Sequence, residues 1–232
     1  MRAVSLNRGS TVSILARSVT KLFGETVAIW EMDLDARSGE LISVLGGNGS
    51  GKSTLLKILA GTLAPTRGTV RTSGNPQPDR TIVGLVGHAT HLFEDLTARE
   101  NVELAAGLAH RRRDGALEQL EMLGVATHAD RRVGDLSAGT RRRVGLARLL
   151  ATDPDVILVD EPFAGLDNAA ADRVAQALAV ARDLGRLVVI ATHDDQRSRS
   201  IATRSLILDR GRIHRTSPVG RLAPIGEGLA AG

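Results

Sequence analysis

Gly46-Gly47-Asn48-Gly49-Ser50-Gly51-Lys52-Ser53 decides how this 232-residue chain is read. The eight residues fit G-x-x-x-x-G-K-[ST] at every fixed position. Just upstream, residues 41–45 (Leu-Ile-Ser-Val-Leu) are a short, mostly apolar run, as in a buried strand feeding a loop. Downstream, residues 53–60 read as a helix stopped by Gly61. Glycines let such a loop wrap tightly, so that successive N–H groups point inward at phosphate oxygens. The helix adds roughly half a positive charge at its N-terminus. On this reading Gly46, Gly47, Asn48, Gly49, Ser50 and Gly51 cradle the phosphates of ATP. Lys52 reaches the β- and γ-phosphates, Ser53 offers a hydroxyl to Mg²⁺, and Thr54 bonds the α-phosphate. The rival reading is a glycine-rich turn with a chance lysine, for which strand and helix on either side would be coincidence.

A second run supplies carboxylates. Val156-Ile157-Leu158-Val159 is an apolar strand that ends in Asp160-Glu161. In open α/β sheets ligands bind beyond the carboxyl ends of the strands. Asp160 is expected to hold Mg²⁺ through water together with Ser53. Glu161, one residue on, points differently and can polarise an attacking water. Alone, this stretch could be a strand running out into a polar loop; the glycine loop upstream gives it a function.

Further elements follow from periodicity. Strands are expected at 11–21, 28–34, 82–86, 187–191 and 206–208, with a turn at Arg210-Gly211 and a hairpin-like region around Pro65, Gly68 and Gly74. Thr97-Ala98-Arg99-Glu100 is a capping box opening a helix to about 109. A second helix spans 116–123 with Leu117, Leu120 and Leu123 on one face, and a third spans 137–150. A helix at 168–183 separates two apolar strands. Short apolar strands alternating with helices indicate a parallel sheet covered on both faces. The expected organisation is one domain: a core at about 11–94 and 151–215, an inserted helical subdomain at about 95–150, and loose ends at 1–10 and 216–232.

Composition excludes several chemistries. The chain has no cysteine, so disulfides, thiolate metal sites and cysteine nucleophiles are ruled out. Formal charge is +4, from 30 basic and 26 acidic residues, and only Lys21, Lys52 and Lys57 are lysines. This arginine-rich surface needs no nucleic-acid partner, and none is expected. Arg111-Arg112-Arg113 reads as a solvated helix edge. No stretch approaches the ~20 apolar residues that span a bilayer, and the N-terminus has no apolar run typical of a secretory signal. Any membrane role is expected to be peripheral.

One stretch narrows the field. Leu136-Ser137-Ala138-Gly139-Thr140, followed by an arginine-rich helix, resembles the ABC-transporter signature Leu-Ser-Gly-Gly-Gln. Ser137 would cap a helix whose free N–H groups face outward, an anion site with no ligand in its own chain. The resemblance covers about 11–215. It implies an α/β P-loop NTPase of ABC type, with a mostly parallel core sheet, an N-terminal antiparallel β portion and the inserted helical subdomain. It implies a homodimer that sandwiches two MgATP, Ser137 and Gly139 of each copy closing on the other's γ-phosphate, and integral-membrane subunits as partners at the cytoplasmic face of the cell membrane. Ala138 and Thr140 depart from the pattern; the first adds a methyl group and the second loses a hydrogen-bonding arm.

The same resemblance assigns further residues. Phe23 matches the aromatic that stacks on adenine, the alternative being an aromatic that is plain core. Asp167 matches a loop that crosses the dimer interface, and could also cap the helix after it. His193 matches the switch histidine that reaches the γ-phosphate and the catalytic carboxylate, giving Glu161, His193 and Lys52 as the catalytic set. Where the family presents a glutamine to Mg²⁺ and to the membrane partner, this chain has Gly87-His88. Gly87-His88, the later Leu96-Thr97-Ala98-Arg99-Glu100-Asn101 and the Leu-Ser-Ala-Gly signature are similar to the ATP-binding subunit of the haem exporter of cytochrome c biogenesis. His88 is therefore a candidate nucleotide-site residue, or simply a tolerated replacement. Rival readings are an exporter of a drug, peptide or lipid, a non-transport ABC ATPase acting on nucleic acid or the ribosome, and a catalytically dead regulatory module. The last conflicts with the presence of Glu161 and His193.

Overall fold

The computed structural model describes residues 12–73, 81–111 and 113–218. In chain order the elements are β1 (Ser13–Phe23), β2 (Thr26–Arg37), β3 (Leu41–Leu45), α1 (Lys52–Leu59), β4 (Arg67–Ser73), β5 (Val83–Val86), α2 (Ala98–Leu108), α3 (Ala116–Met122), α4 (Ala138–Ala151), β6 (Val156–Asp160), α5 (Asn168–Asp183), β7 (Leu187–Thr192), α6 (Asp195–Ile201), β8 (Arg204–Asp209) and β9 (Arg212–Pro218). Among the described residues no helix is long and apolar enough to cross a membrane.

The larger sheet has the order β5-β6-β7-β3-β8-β9 and is parallel except for the β8-β9 hairpin, which turns at Arg210-Gly211. Every residue of β3, β6 and β7 is buried. That is why these strands read as continuous apolar runs instead of alternating. Alternation survives in which face each residue serves. Ile157 and Val159 join a core with α2 to α5, while Val156 and Leu158 join a second core with α1 and the smaller sheet. That smaller sheet is antiparallel with the order β2-β1-β4. The architecture is the expected α/β arrangement of a mostly parallel core sheet, an antiparallel β portion and consecutive helices α2 to α4 packed on one another.

Differences from expectation have local causes. The region around Pro65 and Gly68 is no self-contained hairpin: β4 pairs with the distant β1, Ala16 opposite Val70. It is exposed along almost its whole length, so it carries no alternating signal. Gly74 lies outside the described residues, as do Arg112, residues 1–10 and all of the expected loose tail except 216–218, which complete β9. Leu117 is more than a third exposed, whereas Ala116, Leu120 and Leu123 are buried. The buried face of α3 thus follows the i, i+4, i+7 series from Ala116, not the i, i+3, i+6 series from Leu117, which drifts off the face. The capping box of α2 forms as expected. Glu100 N donates to Thr97 Oγ1 at 3.1 Å, and Thr97 N donates to Glu100 Oε2 at 2.8 Å.

Candidate active site

The glycine loop joins the buried C-terminal end of β3 to α1. Gly51 sits at φ 105°, and a Cβ there would fall on the carbonyl oxygen of Ala28 in β2, so both conformation and space demand glycine. A Cβ at Gly46 would meet Leu208 O and Ser50 Oγ. Gly47, Asn48 and Gly49 are exposed, so the mouth of the loop faces outward. The first helical bond of α1 is Leu55 N to Gly51 O, which by helix geometry leaves the N–H groups of Lys52, Ser53 and Thr54 without helical acceptors. Ser50 Oγ is buried and has no hydrogen-bond partner among the described residues. An outward-facing nest of donors with an unsatisfied hydroxyl beside it fits the phosphates of a nucleotide.

Lys52 is buried in this nest. Its ammonium donates to Gly46 O at 2.8 Å and Gly47 O at 3.0 Å, and lies 3.8 Å from Glu161 Oε1. The strand end therefore meets the loop, as the two motifs require. Asp160, the last residue of β6, is buried, and Glu161 follows in a left-handed backbone at φ 49°. The other Glu161 oxygen, Oε2, is 2.9 Å from His193 Nδ1, beyond the C-terminal end of β7. Parallel pairing of β6 with β7 puts Asp160 beside Ala191, so both strands end at the same level. Lys52, Glu161 and His193 thus form one chain of contacts. A carboxylate between a fixed cation and an imidazole is suited to holding a water and accepting its proton. Ser53 is exposed at the start of α1, on the same loop, and Thr54 follows it half-buried.

The remaining candidates lie elsewhere. Phe23 is half exposed at the end of β1, with Lys21 Nζ 5.2 Å from its ring centre, so it is not core. Ser137 is exposed and caps α4, accepting from Thr140 N at 3.2 Å. Asp167 caps α5, its Oδ1 accepting from Ala170 N at 2.8 Å. Gly139 packs against Gly165 and Leu166 of the loop after β6, where a Cβ would meet Gly165 O at 3.2 Å. His88 is exposed and lines a cleft of about 650 Å³ with Gly139, Arg141, Arg142 and Gly165.

Several contributors escaped the sequence reading. Thr140 is buried, and its Oγ1 lies 2.9 Å from Ser137 Oγ, so it backs the cap instead of reaching outward. Arg148 of α4 donates to Thr90 O and His91 O, fixing the loop that carries His88, and burial pushes its guanidinium pKa down. Arg197 of α6 binds Asp172, Asp194 and Asn168 and lies over Phe163, tying the His193 loop to α5. Its hydrogen bond to Asp172 raises its pKa. The surplus of arginine over lysine was the only available signal, since a guanidinium can serve several oxygens at once.

A sequence model described as ABC transporter matches residues 29–164, more than half of the chain. The chain belongs to the ABC transporter family. It has the fold of the ATP-hydrolysing cassettes of that family, which bind ATP with Mg²⁺. The cassette is 34% identical over 228 residues to the sulfate/thiosulfate import ATP-binding protein CysA 2 of Chromobacterium violaceum, covering 93% of this chain and 61% of that protein. It is 32% identical over 215 residues to the Nod factor export ATP-binding protein I of Cupriavidus metallidurans, covering 87% of this chain and 70% of that one. The chain spans about three fifths of the length of the sulfate/thiosulfate relatives it matches. Among solved structures, it superposes on a dimeric ATP-binding cassette in a post-hydrolysis state bound to ADP and Pi, with a TM-score of 0.80 and 32% identity. That match covers 89% of this chain and 98% of the other.

Proposed function

We propose that the chain is the ATP-hydrolysing subunit of an ABC transporter and acts as a homodimer on integral-membrane subunits. The observation that carries this reading is the contact chain from Lys52 through Glu161 to His193 at the mouth of the glycine loop. In the proposed cycle the loop N–H groups from Gly46 to Thr54 bind the phosphates, and Phe23 stacks on adenine. Ser53 and Asp160 hold Mg²⁺, which neutralises charge on the phosphates when bound. Lys52 exchanges its bonds to Gly46 O and Gly47 O for phosphoryl oxygens. Glu161 orients the water and takes its proton, and His193 keeps the carboxylate aimed.

The second half of each site comes from the partner copy. The exposed, capped start of α4 supports this, because Ser137 and Gly139 offer a helix end to an anion outside their own chain. Asp167 lies on the neighbouring loop and serves the same interface. The core at about 11–94 and 151–215 carries the nucleotide. The helical subdomain at about 95–150, with the His88 cleft, receives the membrane subunit at the cytoplasmic face of the cell membrane. Cargo and direction belong to that subunit. Gly87-His88 and Leu136-Ser137-Ala138-Gly139 support export of haem for cytochrome c biogenesis. The sulfate/thiosulfate relative supports import of a small anion, and the Nod factor relative an export function with another cargo. Identification of the integral protein that co-purifies with the chain from membranes separates these.

The hydrolytic reading is tested by Glu161→Gln. The variant is expected to bind MgATP normally and to turn it over at least a hundredfold more slowly, in line with the ~10²–10⁴-fold worth of a general base. Wild-type turnover in that variant removes Glu161 from the mechanism.

A further inference from the structure

Helix α4 carries three successive arginines, and each of the last two grips backbone carbonyls of another element. Arg143 donates to Leu123 O and Gly124 O at the end of α3. Arg142 reaches the acidic strand end: its Nη1 donates to Asp160 O at 3.2 Å and to Glu161 O. The arginine-rich helix after the signature includes this position, but none of the roles proposed above falls to Arg142.

What Arg142 holds is an unusual piece of backbone. Glu161 sits at φ 49°, a conformation that residues with a side chain rarely adopt and that persists only when its surroundings fix it. Its N–H is fixed by Ala191 O at 2.7 Å. Its carbonyl is fixed by Ala164 N at 3.2 Å and by the Arg142 guanidinium. The direction of the Glu161 side chain follows from that backbone. A carboxylate that must meet a water within a few tenths of an ångström is sensitive to such a hold. The planar guanidinium is suited to the task, since one nitrogen carries two N–H groups and serves both carbonyls.

We propose that Arg142 is a positioning residue for Glu161, holding the left-handed backbone that aims the carboxylate. The inference rests on Glu161 being the general base, as proposed above. Arg142→Met removes the donor at similar length, Arg142→Gln keeps a polar tip that stops short of both carbonyls, and Arg142→Lys keeps reach and charge. Steady-state ATP turnover is measured for each. The Met variant is expected to lose about tenfold in kcat with KM for ATP changed less than about twofold, and Lys to recover most of the loss. The Gln variant is expected to match Met and carries the test should Met not fold. In a Glu161→Gln background the Met substitution is expected to change the residual rate by less than about twofold, because the group it acts through is gone. Wild-type kcat in both Met and Gln variants, a loss that Lys does not rescue, or a loss that recurs in full beside Glu161→Gln overturns the proposal. Wild-type turnover of Glu161→Gln alone is a different failure, that of the hydrolytic reading itself.

Discussion

Lys52→Met separates the two jobs assigned to one ammonium, tying the loop and the proposed binding of phosphate. Lys52 closes the glycine loop on itself through bonds to Gly46 O and Gly47 O, at 2.8 and 3.0 Å. Hydrogen bonds from a charged donor contribute about 1.5–3 kcal/mol each where water cannot replace them. Gly47 is exposed, so its carbonyl returns to water at little cost, while Gly46 is half-buried and keeps most of the penalty. The Glu161 carboxylate at 3.8 Å adds at most about 1 kcal/mol at that separation. Relief from desolvating a buried ammonium and the packing of the Met side chain offset part of the loss. The net expectation is a destabilisation of about 2 kcal/mol, roughly 4–8 °C in Tm for a chain of this size. Saturating MgATP reads the second job. At a hundred times Kd the wild type gains about 2.7 kcal/mol, whereas the variant gains none. Thermal unfolding with and without MgATP measures both. A variant that melts with the wild type in the absence of nucleotide refutes the self-closing loop. A variant that keeps the MgATP shift refutes the phosphate site.

Two further perturbations test the helical region. Asn101 is buried, accepting from Phe93 N at 2.8 Å and donating to Phe93 O at 3.0 Å and Thr97 O at 2.9 Å. Asn101→Leu strands the Phe93 N–H, while Phe93 O keeps Leu96 N and Thr97 O keeps the backbone N–H of residue 101. It is expected to cost about 2 kcal/mol, read as a lower urea midpoint at unchanged m; an unchanged midpoint contradicts the bonding. Glu100 is held below the usual carboxylate range, first by the Thr97 N–H and then by the Thr97 hydroxyl. A carboxyl with a lowered folded-state pKa stabilises above its unfolded value, near 4.3, and loses that contribution as pH falls through the folded value. The Tm gap between wild type and Glu100→Gln is therefore expected at pH 7 and should shrink below about pH 4. A gap that persists at pH 2 speaks against the capping box as its source.

Legibility in the sequence tracked burial and contiguity. β3 and α5 were expected at 41–45 and 168–183 and occupy Leu41–Leu45 and Asn168–Asp183, because strand burial and a capping Asp167 leave sharp edges in the sequence. β4 is nearly all exposed, and α6 is a short polar helix, so neither offers a periodic signal. The glycine loop and the acid pair, proposed above as the nucleotide site, stood out in the sequence because each is a run of adjacent residues whose chemistry depends on spacing alone. The grip of Arg142 on Glu161 joins residues 19 apart through a turn of tertiary structure that no spacing rule encodes. Thr140 misled for a related reason. Its identity suggested a shortened outward arm, whereas helical geometry turns its hydroxyl back to the Ser137 cap.

The supports of Glu161 divide by origin, and the division has a mechanical consequence. Its side chain is held from the core: by His193 after β7 and by Lys52 at the start of α1. Its N–H is held by Ala191 of β7, while its carbonyl is held in part from α4, in the helical region. The core contacts travel with the sheet, since β3, β6 and β7 are buried neighbours with unbroken parallel pairing. A displacement of α4 relative to that sheet would therefore leave the carboxylate between its cation and its imidazole but relax the carbonyl that sets its angle. Because α4 is also capped by Ser137, the end proposed to meet a partner copy, the same displacement would move both halves of the proposed composite site together.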